Sequence, residues 1–282
     1  MAEAVDSRAL FHGLPSHVLR LPQGDQVRVL QHGAHTVSWV TGGRERFFLS
    51  PRARFDCQSA IRGGVPVCFP QFNQRGPLPK HGFARNLPWE MDGPPVCSAE
   101  SASLTLCLRD SEATRAHWPQ AFEARLRLDL SPGSLQITLS VRNTDTRPLA
   151  FSGALHSYLA VDDIGQAMLE GLQGQAEWDA VRDYHGQASG TLRFDGEFDR
   201  VYTAAPRPLL LRERGQALEI AQSPSWGQTV VWNPGAALCA TLADMPADGH
   251  LRMLCVEAAQ VLAPIQVPAG GAWSGWQRLT AR

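Results

Sequence analysis

Several side chains in the 282-residue sequence have the types and neighbours that proton-transfer chemistry would use. Glu257 follows the apolar run Met253-Leu254-Cys255-Val256, which is the pattern of a strand covered on both faces or lining a pocket. A carboxylate there is costly unless it is paired or working, and the alternative is a strand-end glutamate that already reaches water. His156 lies in LAFSGALHSYLAV, where Phe151, Leu155, Leu159 and Val161 share one parity and Ser152, Ala154, His156 and Tyr158 the other. The imidazole is therefore expected to point away from the core, onto a face of small and polar groups. In Arg62-Gly63-Gly64 a guanidinium stands beside two residues that let a backbone approach a ligand closely. His81-Gly82-Phe83-Ala84-Arg85 sets an imidazole and a second guanidinium four residues apart. A surface loop with solvated arginines is the plainer reading of the same residues.

These groups need elements to hold them. Ile61 to Glu90 keeps neither a helical nor a strand period, and reads as a long, rigid, irregular loop interrupting a β protein. In FEARLRLDL, Phe122, Ala124, Leu126, Leu128 and Leu130 share one face, and after Ser131-Pro132-Gly133 the alternation resumes with Leu135, Ile137, Leu139 and Val141. Two period-two strands joined by a Pro-Gly turn predict an antiparallel hairpin with one face on a core. SLTLCLR (103–109) alternates in the same way, and the last third breaks into short strands: ALEIAQS, QTVVWNPG, LCATLADM and RMLCVEAA. His32 and His35 have the spacing of a metal pair, but on a strand they would face opposite ways, and no third ligand is near in sequence.

The segments IRGGVPVCFPQF and LPKHGFARNLPWE closely resemble the hexose-6-phosphate mutarotase (glucose-6-phosphate 1-epimerase) branch of the aldose 1-epimerase family. ALHSYL, FDGEFDRVY, VVWNPG and Asp244-Met245 are similar to further segments of that branch, so the resemblance runs from about Val27 to Leu279. It implies an all-β fold, an antiparallel galactose-mutarotase-like β-supersandwich, that interconverts the α and β anomers of hexose 6-phosphates. It implies Glu257 as catalytic base and His156 as catalytic acid, on opposite sides of the sugar ring. It also implies a supporting role for His81, sugar-hydroxyl contacts for Asp199, and phosphate contacts for Arg62 and Arg85. Arg75 and Lys80 lie in the same loop and could add charge. The branch usually writes proline after this glutamate, and here Ala258 stands instead. The chemistry so implied needs no cofactor and no metal.

Composition fits this reading. Apolar residues make up 44% and charged ones 19%, an ordinary globular balance, and the net charge of −1 leaves any attraction to phosphate local. No basic patch favours nucleic acid and no apolar run is long enough to span a bilayer. The six cysteines form no CxxC pair and several sit in apolar runs, as reduced cysteines do. With no signal peptide at the N-terminus, a cytoplasmic location is expected. Residues 1–25 read as a loosely structured lead-in and 26–282 as one sandwich domain, with a monomer favoured. Two other readings stay open: a mutarotase of free hexoses, and a non-catalytic carbohydrate-binding sandwich, which has no need of the Glu257 and His156 pair. A cupin-type metal isomerase would show an HxH, which the sequence lacks.

Overall fold

The computed structural model of the chain describes residues 5–282. Its first five strands, β1 (Val5–Phe11), β2 (Leu14–Arg20), β3 (Gln26–Leu30), β4 (Thr36–Thr41) and β5 (Arg44–Glu45), pair in sequence order as an antiparallel meander. The sequence reading places a loose lead-in where β1 and β2 lie. The reason for the difference is visible in β2: Ser16, His17, Val18 and Leu19 are all buried, so a strand covered on both faces shows no alternation.

The Ile61–Glu90 stretch follows. Its only strands are β6 (Val67–Cys68) and the start of β7 (Glu90–Met91), a single 3-10 turn spans Ala84–Asn86, and β8 (Val96–Cys97) comes soon after. It is no surface loop: residues 63–72 are all buried. Its backbone groups are satisfied by the frame around it, with Gly64 N–H donating to Phe48 O, Val65 N–H to Thr36 O, and Phe83 and Ala84 N–H to Phe69 O. Gly63 and Gly64 adopt φ of +112° and +62°, and a Cβ on them would lie 2.4 Å from Phe48 O and 2.3 Å from Thr36 O. The two glycines thus let the loop sit against the backbone of Phe48 and of β4, where the sequence suggests close approach to a ligand.

The chain continues through β9 (Ala102–Arg109), the short helix α1 (Glu112–His117), β10 (Phe122–Ser131) and β11 (Ser134–Asn143). β10 and β11 form the expected hairpin, in register from Phe122↔Asn143 to Ser131↔Ser134 around Pro132-Gly133. The inward leucines of β10 are essentially inaccessible, each burial contributing roughly 1.5–3 kcal/mol. Then come β12 (Leu149–Leu155), β13 (Tyr158–Ala160), β14 (Met168–Glu170), β15 (Ala176–Asp179), β16 (Tyr184–Gln187), β17 (Phe198–Thr203), β18 (Leu209–Glu213), β19 (Gln216–Gln222) and β20 (Gln228–Asn233). Helix α2 (Gly235–Thr241) and the long strands β21 (Met253–Val267) and β22 (Ala272–Ala281) complete the chain.

The remaining strands form two large antiparallel sheets, one of nine strands (β14-β18-β19-β22-β11-β10-β9-β7, with β8 on β9) and one of eight (β16-β15-β17-β20-β21-β12-β6, with β13 on β21). The main core lies between them and reaches the meander, gathering Trp39, Leu126, Leu139, Phe151, Leu155, Val231, Val256 and Leu279. The fold is the antiparallel β-supersandwich that the segments above imply. Strand alternation gives the eight-stranded sheet a second, outer face. Cys68, Ala154, Val201, Val230 and Ala259 cluster there with Phe72 from the long loop, and Tyr158, Met253 and Cys255 lie further along it.

Candidate active site

That outer face carries a cavity of about 260 Å³, roofed by the long loop. Arg62, His81, Arg85, His156, Asp199 and Glu257, the six side chains singled out from the sequence, all line it. Glu257 projects from the middle of β21, opposite Val230 of β20. His156 falls in a two-residue break between β12 and β13, where the sequence suggests one continuous strand. The register passes through the break unchanged, from Leu155↔Ala258 to Tyr158↔Cys255, which sets His156 across from Glu257. At the break His156 N–H turns to Pro66 O, while Ser157 Oγ–H donates to Gln277 Oε1 in the core. Gln277 in turn donates from Nε2 to Val256 O, so one buried side chain of β22 fastens both strands beneath the pair.

His156 Nδ1 and Glu257 Oε1 lie 3.4 Å apart. The two groups are therefore neighbours, not placed on opposite sides of a bound ring as expected from the sequence. The glutamate is 1% exposed and the histidine 8%, and neither His156 Nδ1 nor Glu257 Oε2 has a hydrogen-bond partner. Burial pushes the Glu257 carboxyl well above the usual carboxylate range, with the charge of Asp199 adding to it. Burial also pushes the His156 imidazole well down, helped by His81, Arg85 and Arg62. Both shifts favour the uncharged form of each partner. The His156 ring stacks on Tyr158 (centroids 4.8 Å apart, planes 9° apart) and meets Trp232 edge-on, which fixes its plane.

His81 stands beside this pair, its ring 5.4 Å from that of His156. Its Nδ1 accepts from the Asn73 backbone N–H at 3.2 Å and touches Cys68 Sγ. An amide can only donate, so the neutral ring carries its proton on Nε2. The ring is neutral because burial, then Arg85, Lys80 and Arg62, push its pKa down to about 3. Those same three cations line the cavity. Arg62 is held in direction by Asp244, to which Nε donates at 3.2 Å, and by the Tyr158 hydroxyl, to which Nη1 donates at 3.0 Å. Arg85 donates from Nη2 to Lys80 O, and its buried Nε is unpartnered. Asp199, on β17, lines the cavity too and has its carboxyl pushed up to about 6 by burial and by Glu197.

Sequence reasoning missed Tyr158, Trp232 and Asp244 as members of the site. Tyr158 shares His156's parity, and that was the available signal; Trp232 and Asp244 arrive from loops and pairings that spacing does not reveal. Arg75, by contrast, lies over the Trp178 ring, 4.6 Å from its centroid, outside the residues that line the cavity. His35 donates from Nε2 to Gly63 O at 2.7 Å, so it braces the loop, and it forms no ligand cluster with His32 among the described residues. All six cysteines are free, but Cys57 and Cys97 are exposed where the apolar runs suggest burial of several others.

Comparison with known proteins bears on the family and the fold. The sequence model of aldose 1-epimerase matches residues 15–280. A protein of Cenchrus ciliaris, provisionally named glucose-6-phosphate 1-epimerase, is 35% identical over 280 residues, covering 95% of this chain and 85% of its own. One from Salmonella typhimurium with the same provisional name is 35% identical over 268 residues, covering 92% and 88%. The crystal structure of a provisionally assigned mutarotase from Salmonella typhimurium superposes with a TM-score of 0.90 at 32% identity, covering 100% of this chain and 95% of that one. Galactose 1-epimerase from Lactobacillus acidophilus, at 15% identity and a TM-score of 0.75 over 99% and 98%, shares the fold. No helix among the described residues is long and apolar enough to cross a membrane.

Proposed function

The chain belongs to the aldose 1-epimerase family, and from that premise we propose that it interconverts the α and β anomers of hexose 6-phosphates, glucose 6-phosphate among them. The observation that carries this reading is the contact between a buried imidazole and a buried carboxyl, in a cavity that three cations also line.

Ring opening takes the proton from the anomeric hydroxyl and delivers one to the ring oxygen. Both oxygens are bonded to the same carbon, so two groups side by side can serve them. Glu257 takes the first proton as base and His156 supplies the second as acid. The pair thereby passes from an ionic form, carboxylate with imidazolium, to an uncharged form. Burial favours that uncharged form in the free protein as well, so the ionic form that begins ring opening is reached at a cost, which the contact between the two groups at 3.4 Å offsets in part. The aldehyde turns about its first carbon–carbon bond, and closure on the other face returns both protons. His81 offers its Nε2–H to the sugar or to the oxygen that is losing its proton. Asp199 accepts hydrogen bonds from two hydroxyls of the ring.

The phosphate lies, on this reading, against Arg62 and Arg85, with Lys80 adding charge. One observation favours the second reading, a mutarotase of free hexoses: Arg62 already has a carboxylate partner in Asp244. A sugar-binding module is disfavoured, because a buried, unpartnered acid–base pair would be a cost without a use. Anomer exchange followed by NMR in glucose 6-phosphate, galactose 6-phosphate and free glucose tests the proposal. Faster exchange in the phosphosugars supports it, and no exchange in any of the three rejects it.

A further inference from the structure

Beneath the acid–base pair lies a side chain that proton transfer does not use. Cys255 precedes Glu257 by two residues on β21 and so shares its face, and it sits directly opposite Tyr158. The imidazole of His156, the thiol of Cys255 and the carboxylate of Glu257 each bring a donor atom to within 4.8 Å of the other two, and all three residues are buried. We propose that His156, Cys255 and Glu257 bind a thiophilic divalent cation such as Zn²⁺, and that the bound ion switches the enzyme off by occupying its acid and its base.

Several features of the cluster point to this ligand. The donor set is one nitrogen, one sulfur and one oxygen, which suits zinc and does not suit magnesium or calcium, whose shells are built from oxygen. Bond lengths of about 2.0–2.3 Å require the three side chains to close in by only about an ångström. A thiolate and a carboxylate together neutralise a dication, so the loaded site adds no net charge to a buried place; the thiol proton and the one proton held by the Glu257–His156 pair both leave to solvent. The ion also supplies a partner to His156 Nδ1 and Glu257 Oε2, two buried atoms that have none. With three protein ligands, the fourth position opens to the cavity that His156 and Glu257 line. The role is inhibitory, since both groups that must exchange protons with the sugar become ligands. That inhibitory arm rests on the acid–base reading; binding itself does not.

The test uses the full chain, stripped with chelator and titrated with Co²⁺ and with Zn²⁺. Cobalt reports its ligands by absorbance, and a thiolate–cobalt charge-transfer band should rise to saturation at about one equivalent. The band should persist when the exposed cysteines are removed (Cys57→Ala with Cys97→Ala) and vanish in Cys255→Ala. Glu257→Gln, read by binding alone, should weaken cobalt affinity and so guards against a Cys255→Ala chain that fails to fold. Zinc should inhibit anomer exchange by the wild type, reversibly on chelation. Cys255→Ala should keep its basal exchange and need about a hundred-fold more zinc or greater, since even outer-shell partners are worth ten- to a hundred-fold. No thiolate band in the wild type, or equal zinc sensitivity in Cys255→Ala, overturns the proposal. A band that forms without loss of exchange overturns the inhibitory arm and counts against the acid–base roles.

Discussion

Glu257 sits in a fully buried stretch of strand with one carboxylate oxygen against His156 and the other without a protein partner. Such a group is expensive to keep and is explained by use. Glu257→Gln and His156→Asn should each lower kcat by about a hundred-fold or more with the fold intact by circular dichroism. The double variant should be barely worse than the poorer single one, because both groups act in one ring-opening event. Near-normal turnover in either single variant would remove that residue from its role. Chelation should leave turnover unchanged, since the two protons need no ion to move. Asp199 adds a pH signature. Its carboxyl is pushed up to about 6, so the acceptor-only carboxylate forms as pH rises through that value. KM should therefore climb as pH falls below about 6, and Asp199→Asn should flatten that limb of the KM profile while raising KM above it. An unchanged limb in the variant would assign the titration elsewhere.

At the scale of elements, the decisive feature is the two-residue break between β12 and β13, which keeps register with β21 while turning His156 toward the loop. Gln277 holds that break from inside the core. Replacing it with leucine keeps the volume but strands Ser157 Oγ–H and Val256 O, at about 1–3 kcal/mol for each group. The expected outcome for Gln277→Leu is a lower urea midpoint together with a lower kcat, measured on the same preparation; a stability loss with kcat untouched would show that the break does not aim His156. Much of this was legible beforehand. Period-two alternation predicts β10 and β11 because one face of that hairpin is buried and the other is not, and the same parity argument turns His156 and Tyr158 away from the core. β2 escaped because it is covered on both faces. The break escaped because the side chain bonded to it, Gln277, is 120 residues away in sequence from Ser157. Spacing also could not tell that Gly63 and Gly64 approach the protein's own backbone, since their neighbours Phe48 and Thr36 are brought there by the fold.

Across the whole molecule the charge is close to balanced, at −1, yet Arg62, Lys80 and Arg85 all line one cavity and all act on His81. A local field of this kind discriminates substrates by charge without drawing polyanions to the surface at large. Each charge-assisted hydrogen bond contributes about 1.5–3 kcal/mol, so losing one guanidinium should reduce phosphosugar handling roughly ten- to a hundred-fold. Added salt should erode the wild type's preference for phosphosugar and affect the arginine variants less. The most direct measurement is the ratio of kcat/KM for glucose 6-phosphate to that for free glucose, by NMR anomer exchange, in the wild type, Arg62→Ala and Arg85→Ala. The expected result is a ratio well above one that collapses in both variants through loss on the phosphosugar alone. Equal losses on the two sugars would mean that the arginines shape the loop, and a ratio near one in the wild type would contradict a phosphosugar epimerase outright.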